Sequence, residues 1–290
     1  MRRKSMAEVD GSNILYHYLQ KDMRKSEFPL YLQMVMKLVT DLGVWIHPDD
    51  YKKLPIALPY VVRDPMLTTQ VRTPWGNPQP STGLMMDDNS MVKAIVKGAN
   101  KKMESSVVSK YNGASLGRNF VASHVWREIQ TEAGLTNRDH RLFSFIPNLV
   151  WLPKEVSKFT DREGSIIQSM IQQISRKIYR DLEVSHSMKA FTEEAWSVIE
   201  TAEIKVPLPI EALPDVSSIT FIRISDSYIK TRTRKIGKLA EALTRYSQDL
   251  EVTLPVISSK YDPHIDTIDK DAAAKLGAWL SNYHTAILDS

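Results

Sequence analysis

Apolar residues recur with the period of an α-helix along most of this chain, and that spacing limits the possible folds more than any other property. Between Ser26 and Gly43, which suit the two ends of a helix, apolar residues stand three and four positions apart. A longer helical pattern runs from Phe221 to Tyr246. Its apolar face carries four residues spaced seven apart: Ile222, Ile229, Ile236 and Leu243. The sequence therefore predicts a mainly α-helical protein.

Composition narrows the class of protein further. The chain has 290 residues, 42% of them hydrophobic and 25% charged, which suffices for a sizeable core. It contains no cysteine, so disulfides, thiolate zinc sites and cysteine nucleophiles are excluded. No apolar stretch approaches the roughly 18–20 residues that cross a bilayer, and the first residues lack the apolar core of a secretory signal. We predict a cytoplasmic protein without a membrane segment.

Four regions follow from changes of pattern along the chain. Residues 1–62 are predicted to form a helical N-terminal unit, and residues 63–85 a connector rich in proline and glycine. Residues 86–183 are predicted to contain a small α+β core with flanking helices. Residues 184–290 are predicted to form a helical C-terminal region that includes one strongly basic helix.

The middle region is the only part with a clear β pattern. Residues 120–126, FVASHVW, and residues 142–152, LFSFIPNLVWL, are rich in β-forming residues, and a polar loop separates them. From Pro153 the spacing becomes helical. We predict that the two segments pair as antiparallel strands and that a helix packs across them.

This order of elements resembles the ββα-metal core of HNH endonucleases over roughly residues 118–165. His124 ends the first strand, and Asn148 stands in NLVWLPKEVSK, which is similar to that family's asparagine–leucine–two residues–leucine run into its helix. The resemblance implies a mainly α protein with a small ββα-metal-like core between helical N- and C-terminal arms. It also implies that the chain hydrolyses phosphodiester bonds in DNA.

The resemblance assigns roles to both residues. His124 would be the general base, for which an ordinary pKa near 6.5 is suitable. Asn148 would hold the loop or orient the histidine. The competing interpretations are a packed histidine at a strand end and an asparagine that simply forms a turn.

A divalent cation, Mg²⁺ or Mn²⁺, would polarise the scissile phosphate in this chemistry. Ser123 and Ser157 stand where the family commonly has metal ligands, and serine binds cations poorly. The cation would then use other side chains of the same region: Asp161, Asp139, His140 or Glu163.

The long C-terminal helix provides a candidate surface for nucleic acid. Lys230, Arg234 and Lys238 form an i, i+4 stripe, reinforced by Arg232 and Lys235. Such a stripe can bind DNA phosphates, in keeping with the net charge of +4 and the pI near 9.0. The same pattern is typical of the solvated face of an ordinary helix.

Two classes of function remain open from the sequence. The first is a divergent HNH-like DNA endonuclease with a role in restriction or phage defence. The second is a non-catalytic protein: either a DNA-binding adaptor that uses the ββα core as a scaffold, or an assembly subunit that pairs with a copy or a partner through residues 222–243. The surroundings of His124 discriminate between them, because a base faces a cleft and a scaffold residue is buried.

Overall fold

The fold is described from a computed structural model. It covers residues 28–59, 92, 94–96, 101–104, 112–127, 129–131, 134–136, 139–161, 164–253, 265 and 269–290. The predicted connector at 63–85, the upstream part of the N-terminal unit and Glu163 lie outside these described residues.

The helices that lie wholly within these ranges are α1 (Phe28–Leu42), α2 (Pro48–Lys53), α3 (Lys154–Ser157), α4 (Ile166–Tyr179), α5 (His186–Glu200), α6 (Asp226–Ser247) and α7 (Lys270–Leu288). The same ranges also contain seven strands: β1 (Val44–Ile46), β2 (Met103–Glu104), β3 (Phe120–His124), β4 (Gln130–Thr131), β5 (Gly134–Leu135), β6 (Leu149–Pro153) and β7 (Thr220–Ile222). None of the described helices is long and apolar enough to cross a membrane. The fold thus combines helices with a small amount of sheet.

Five of the strands form one mixed sheet in the order β2-β7-β1-β6-β3. Strand β1 pairs in parallel with β7, and the remaining neighbours are antiparallel. Strands β4 and β5 form a separate hairpin. The sheet therefore joins strands from the predicted N-terminal, middle and C-terminal regions.

The predicted antiparallel pairing in the middle region is confirmed. Strand β3 pairs with β6 so that Phe120 opposes Pro153 and His124 opposes Leu149. The second strand is shorter than predicted, because residues 142–144 form turns, Phe145 forms an isolated bridge with Ile56, and Ile146–Asn148 form a 3-10 helix. Helix α3 follows β6 directly, as the change of spacing at Pro153 predicts.

The long C-terminal helix begins later than predicted. Residues 220–222 form β7 between β2 and β1, so Ile222 belongs to the sheet and not to the helix. Ser225 then caps α6, since its hydroxyl accepts a hydrogen bond from the backbone N–H of Tyr228. Helix α7 lies in the C-terminal region that is predicted to be helical.

Large aromatic side chains fill the core between the sheet and the helices. Trp126 and Trp151 are both fully buried there. The hydroxyl of Tyr179 donates a hydrogen bond to the carbonyl of Ile46 at 2.6 Å, which joins α4 to the central strand. The hydroxyl of Tyr283 accepts from the N–H of Ile56 and donates to its carbonyl, which joins α7 to the N-terminal region.

Helices α6 and α7 pack antiparallel at very short distance. A Cβ placed on Gly277 would lie 3.2 Å from the backbone nitrogen of Thr244, and one placed on Gly237 would lie 2.7 Å from the His284 ring. Helix α7 covers the apolar face of α6, where Ile236 and Leu243 are fully buried. That face is therefore already occupied within the same chain.

The close contact at Gly277 yields a stability prediction. Gly277→Leu should lower the free energy of unfolding by about 1–3 kcal/mol, because its side chain must push α6 away. Ala278→Leu, the same side chain at the exposed neighbouring position, should change it by less than about 0.5 kcal/mol. Urea unfolding of both variants measures the difference, and equal stabilities would contradict the close packing.

Candidate functional site

His124 lies at the end of β3 with only 6% of its surface exposed. Its Nε2 is 2.9 Å from the carbonyl oxygen of Phe143, and the two rings are 5.3 Å apart. A carbonyl can only accept, so Nε2 carries the hydrogen in this contact. This nitrogen therefore holds the loop and is not available to take a proton from water.

Asn148 is fully buried beside it and also binds backbone. Its side-chain oxygen accepts from the N–H of Trp126 at 2.7 Å, and its side-chain nitrogen donates to the carbonyl of Leu142 at 2.9 Å. His124 and Asn148 thus hold two consecutive carbonyls of the 142–145 turn. The structure brings the two predicted residues together around that turn, and each one closes the loop between β3 and β6.

Asp139 is buried, and Arg141 occupies its carboxylate. The Arg141 backbone N–H and Nε donate to one carboxylate oxygen at 2.9 Å each, and Nη2 donates to the other at 2.6 Å. Burial favours the protonated carboxyl, but these hydrogen bonds and the charge of Arg141 outweigh it and lower the pKa of Asp139. Arg141 also donates to Glu194 on α5 at 2.8 Å, which ties the loop to the helices.

His140 and Asp161 face different partners. The His140 ring packs edge-on against Trp279 at 4.7 Å, and burial lowers the pKa of this histidine. Its Nδ1 is 4.0 Å from the Asp139 carboxylate. Asp161 is half-exposed and pairs with Arg127 at 3.3 Å and with Lys158 at 3.6 Å.

These contacts determine whether the predicted ligands could bind a divalent cation. In the part of the chain that the structure describes, no three histidine, aspartate and glutamate side chains are grouped so that they could hold a metal ion. Arginine and lysine neutralise the carboxylates of Asp139 and Asp161. The described residues do not fit a Mg²⁺ or Mn²⁺ site, and the cation stays a prediction of the resemblance.

Three of the five predicted nucleic-acid contacts lie on the solvent face of α6. Lys230, Arg234 and Lys238 are all exposed. None of the three forms a hydrogen bond or an ion pair with another described residue. Most other basic side chains described here differ, since they pair with carboxylates or bind carbonyls, as Lys53 does with Asp226.

The other two predicted contacts, Arg232 and Lys235, are half-buried. Arg232 lies 4.8 Å from the centre of the Tyr228 ring, and Lys101 lies 4.2 Å from the same ring. Burial, together with the positive charge of Arg232, lowers the pKa of Lys101 to about 8. Tyr228 therefore links α6 to the segment before β2, and Arg232 covers the same ring from within α6.

A polar cluster that the sequence reasoning missed lies where the parallel strands β1 and β7 end. Arg223 donates to Nδ1 of His47 at 3.1 Å and pairs with Asp49 and with the buried Asp50. Asp50 accepts from the N–H of Ile224 at 2.6 Å, and burial raises the pKa of this carboxyl. In the sequence, the polar run HPDD directly after the apolar run VWI could have indicated this cluster.

The structure also contains a cleft that no sequence motif indicates. It has a volume of about 520 Å³ and lies between the end of α4, the loop that follows, and one face of α5. Its lining comes from the stretch between Arg180 and Trp196, and the tertiary structure adds Tyr51 of α2.

Burial of His124 and Asn148 yields a prediction about stability. His124→Ala and Asn148→Ala should each lower the free energy of unfolding by about 2–4 kcal/mol, because carbonyls of the turn lose their donors and a cavity opens. The exposed histidine His186 is the control, and His186→Ala should change stability by less than about 0.5 kcal/mol.

Urea unfolding and plasmid cleavage with Mg²⁺ or Mn²⁺ are measured on the same samples. A general base predicts a different pattern for His124→Ala. Cleavage would then fall about 10²–10⁴-fold while the free energy of unfolding stayed unchanged, and that result would restore the catalytic assignment.

The Asp139–Arg141 pair yields a pH dependence. The pKa of Asp139 is lower in the folded chain than the ordinary value near 3.9, so its contribution to stability is present above about pH 4. The contribution is lost as the pH falls through the folded pKa. Asp139→Asn should be less stable than the wild type at pH 7, and the difference should shrink below pH 4. Asp181→Asn, at an exposed aspartate that forms no ion pair with a described residue, is the control and should match the wild type in urea unfolding at pH 7.

Comparison with protein-family models, curated proteins and solved structures found no match to this chain. Its function is therefore argued from its own residues.

Proposed function

We propose that this chain is a non-catalytic DNA-binding protein whose contact surface is the exposed basic face of α6: Lys230, Arg234 and Lys238. The observation that carries the proposal is that these three exposed cations have no acidic partner among the described residues. A positive charge that no carboxylate neutralises is free to bind a phosphate.

The distribution of charge supports this surface. Helix α6 has six basic and two acidic residues, an excess of four positive charges. The formal net charge of the whole chain is also +4. The remaining residues are therefore neutral in sum, and the excess charge is concentrated on one helix, where it attracts a polyanion most strongly.

The geometry of α6 also suits a backbone contact. At roughly 1.5 Å per residue, Lys230 and Lys238 are about 12 Å apart along the axis, with Arg234 between them. Three cations in a row release counterions from successive phosphates without reading bases. Helix α7 holds α6 from behind, so little ordering accompanies binding.

The surroundings of His124 favour the scaffold hypothesis over hydrolysis. A general base needs an accessible nitrogen near its substrate. His124 is buried, its Nε2 binds a carbonyl, and Asn148 is buried beside it. These contacts support a role for the β3–β6–α3 unit in positioning the rest of the fold, and hydrolysis stays a hypothesis that rests on the resemblance.

Assembly through residues 222–243 has less support. Ile222 lies in the sheet, and Ile236 and Leu243 are covered by α7. A partner would have to displace α7 to reach this face, with loss of its close contacts at Gly277.

A charge-removal experiment tests the proposal. Replacing Lys230, Arg234 and Lys238 together by glutamine should weaken binding to duplex DNA about tenfold or more near 0.1 M salt. It should also flatten the slope of log K against log salt by about two to three units, because each lost phosphate contact removes about 0.9. Fluorescence anisotropy over a salt series measures both quantities.

The matched control removes the same charge elsewhere. Lys154, Lys189 and Lys205 are exposed, and their replacement by glutamine lowers the net charge equally. This triple variant should keep the wild-type slope. Equal losses in both variants, or no loss in the first, would mean that the α6 face is only solvated. Tighter binding to duplex RNA than to DNA would overturn the choice of DNA.

A further inference from the structure

The cleft beside α5 has the dimensions of a ligand site. Its volume of about 520 Å³ falls within the range of about 300–1,000 Å³ that is typical for small-molecule pockets. One wall is a single face of α5, formed by Lys189, Thr192, Glu193 and Trp196 at positions three and four apart. The opposite wall is formed by residues 180–184. We refer to it as the α5 cleft.

Two buried aromatic side chains that line the α5 cleft leave one hydrogen-bond donor available. Trp196 donates its ring N–H to the hydroxyl of Tyr51 at 3.2 Å. The Tyr51 hydroxyl keeps its own hydrogen, for which no acceptor is present among the described residues. Burial raises the pKa of Tyr51 to about 12, so this donor persists at neutral pH.

The Arg180 side chain forms a rigid edge of the cleft. It donates to Glu200 at 2.5 Å and to both oxygens of Glu193 at 3.2 and 3.3 Å. It also lies over the Trp196 ring at 5.7 Å. One guanidinium thus faces two carboxylates, so its positive charge is neutralised within the protein and it shapes the cleft without attracting an anion.

The remaining charges of the lining are unpaired and of both signs. On α5 they are Lys189 and, when protonated, His186, and on the facing loop they are Asp181 and Glu183. All four are exposed, and none forms an ion pair with a described residue. Apart from Glu193 and Arg180, which pair with each other, the cleft thus presents cationic groups on α5 and carboxylates on the facing loop.

The start of α5 strengthens the positive wall. Its first turn contains no acidic residue, and its N-cap Ser185 makes no capping hydrogen bond, because the Ser185 hydroxyl binds that of Ser187 instead. The positive end of the helix dipole therefore lies beside Lys189 and His186 without a compensating anion in that turn. A negatively charged group of a ligand would supply the compensation.

From these observations we infer that the α5 cleft binds a small zwitterion, such as a free amino acid with an apolar side chain. Its carboxylate contacts Lys189 and the start of α5, and its ammonium group contacts Asp181 and Glu183. Its apolar part lies along Leu182, Val184 and the buried aromatic side chains. No bond is made or broken, and the site is independent of the proposed DNA surface.

Three probes that share one apolar skeleton test the charge requirement: L-phenylalanine, which carries both charges; 3-phenylpropanoate, which carries only the carboxylate; and 2-phenylethylamine, which carries only the ammonium group. Calorimetric titration of the full chain should show binding of L-phenylalanine at least about tenfold tighter than either singly charged probe. L-leucine is titrated in parallel as a smaller zwitterion.

Substitutions at the rim locate the binding. Lys189→Gln and the double variant Asp181→Asn, Glu183→Gln should each weaken L-phenylalanine about tenfold, whereas Lys205→Gln outside the cleft should not. All of these side chains are exposed, so folding is retained. The inference would be overturned if a singly charged probe bound more tightly than L-phenylalanine, or if the rim variants kept the wild-type affinity. It would also be overturned if neither zwitterion bound at a ligand concentration of about 10 mM, which is roughly the weakest affinity expected of a small ligand.

Discussion

The parallel pairing of β1 with β7 is the constraint on which the positions of the other elements rest. It joins two segments 176 residues apart in the chain and places both in the interior of the sheet. Parallel strands cannot be joined by a tight turn, so everything between them must form one crossover around the core. The crossover contains β3, β6, α4 and α5, and the exit from β7 leads directly into α6.

Side-chain hydrogen bonds fix this pairing at its polar end. Asp50 accepts from the N–H of Ile224, and Arg223 lies between Asp49, Asp50 and His47. A buried carboxylate without such partners would destabilise the fold strongly. The direction in which α6 leaves the sheet, and hence the direction of its basic face, follows from these contacts.

The spacing of apolar and charged residues was sufficient to predict features that depend on one helix alone. The position of α1 and the exposure of Lys230, Arg234 and Lys238 require only the period of a helix. The same spacing gave the wrong secondary structure where contacts with residues distant in the sequence determine it. Ile222 continues the apolar spacing of α6, yet pairing with β1 and β2 assigns it to a strand. Residues 142–145 have a strand-like composition, yet His124 and Asn148 hold their carbonyls in a turn.

The candidate site was only partly predictable for the same reason. The sequence locates His124, Asn148 and Asp139 in one region, and the structure shows all three bound to near neighbours. The sequence spacing does not show that Arg141, and not a metal cation, binds the Asp139 carboxylate. The same spacing is compatible with many rotamers of Arg141. The α5 cleft has no motif at all, since its walls meet only in the folded chain.

Residue types alone do not separate a catalytic centre from a polar scaffold, because both use histidine, asparagine and aspartate. What separates them is where the hydrogen-bonding capacity is directed. In the β3–β6 region it is directed inward, to the carbonyls of Leu142 and Phe143 and to Arg141, and there it stabilises a loop. On α6, Lys230, Arg234 and Lys238 are exposed and form no ion pair with a described residue. The same holds for Lys189, Asp181 and Glu183 at the α5 cleft. A group whose partner lies within the fold contributes to stability, and a group without one can bind something outside it. Interaction with other molecules is therefore to be sought at these two surfaces.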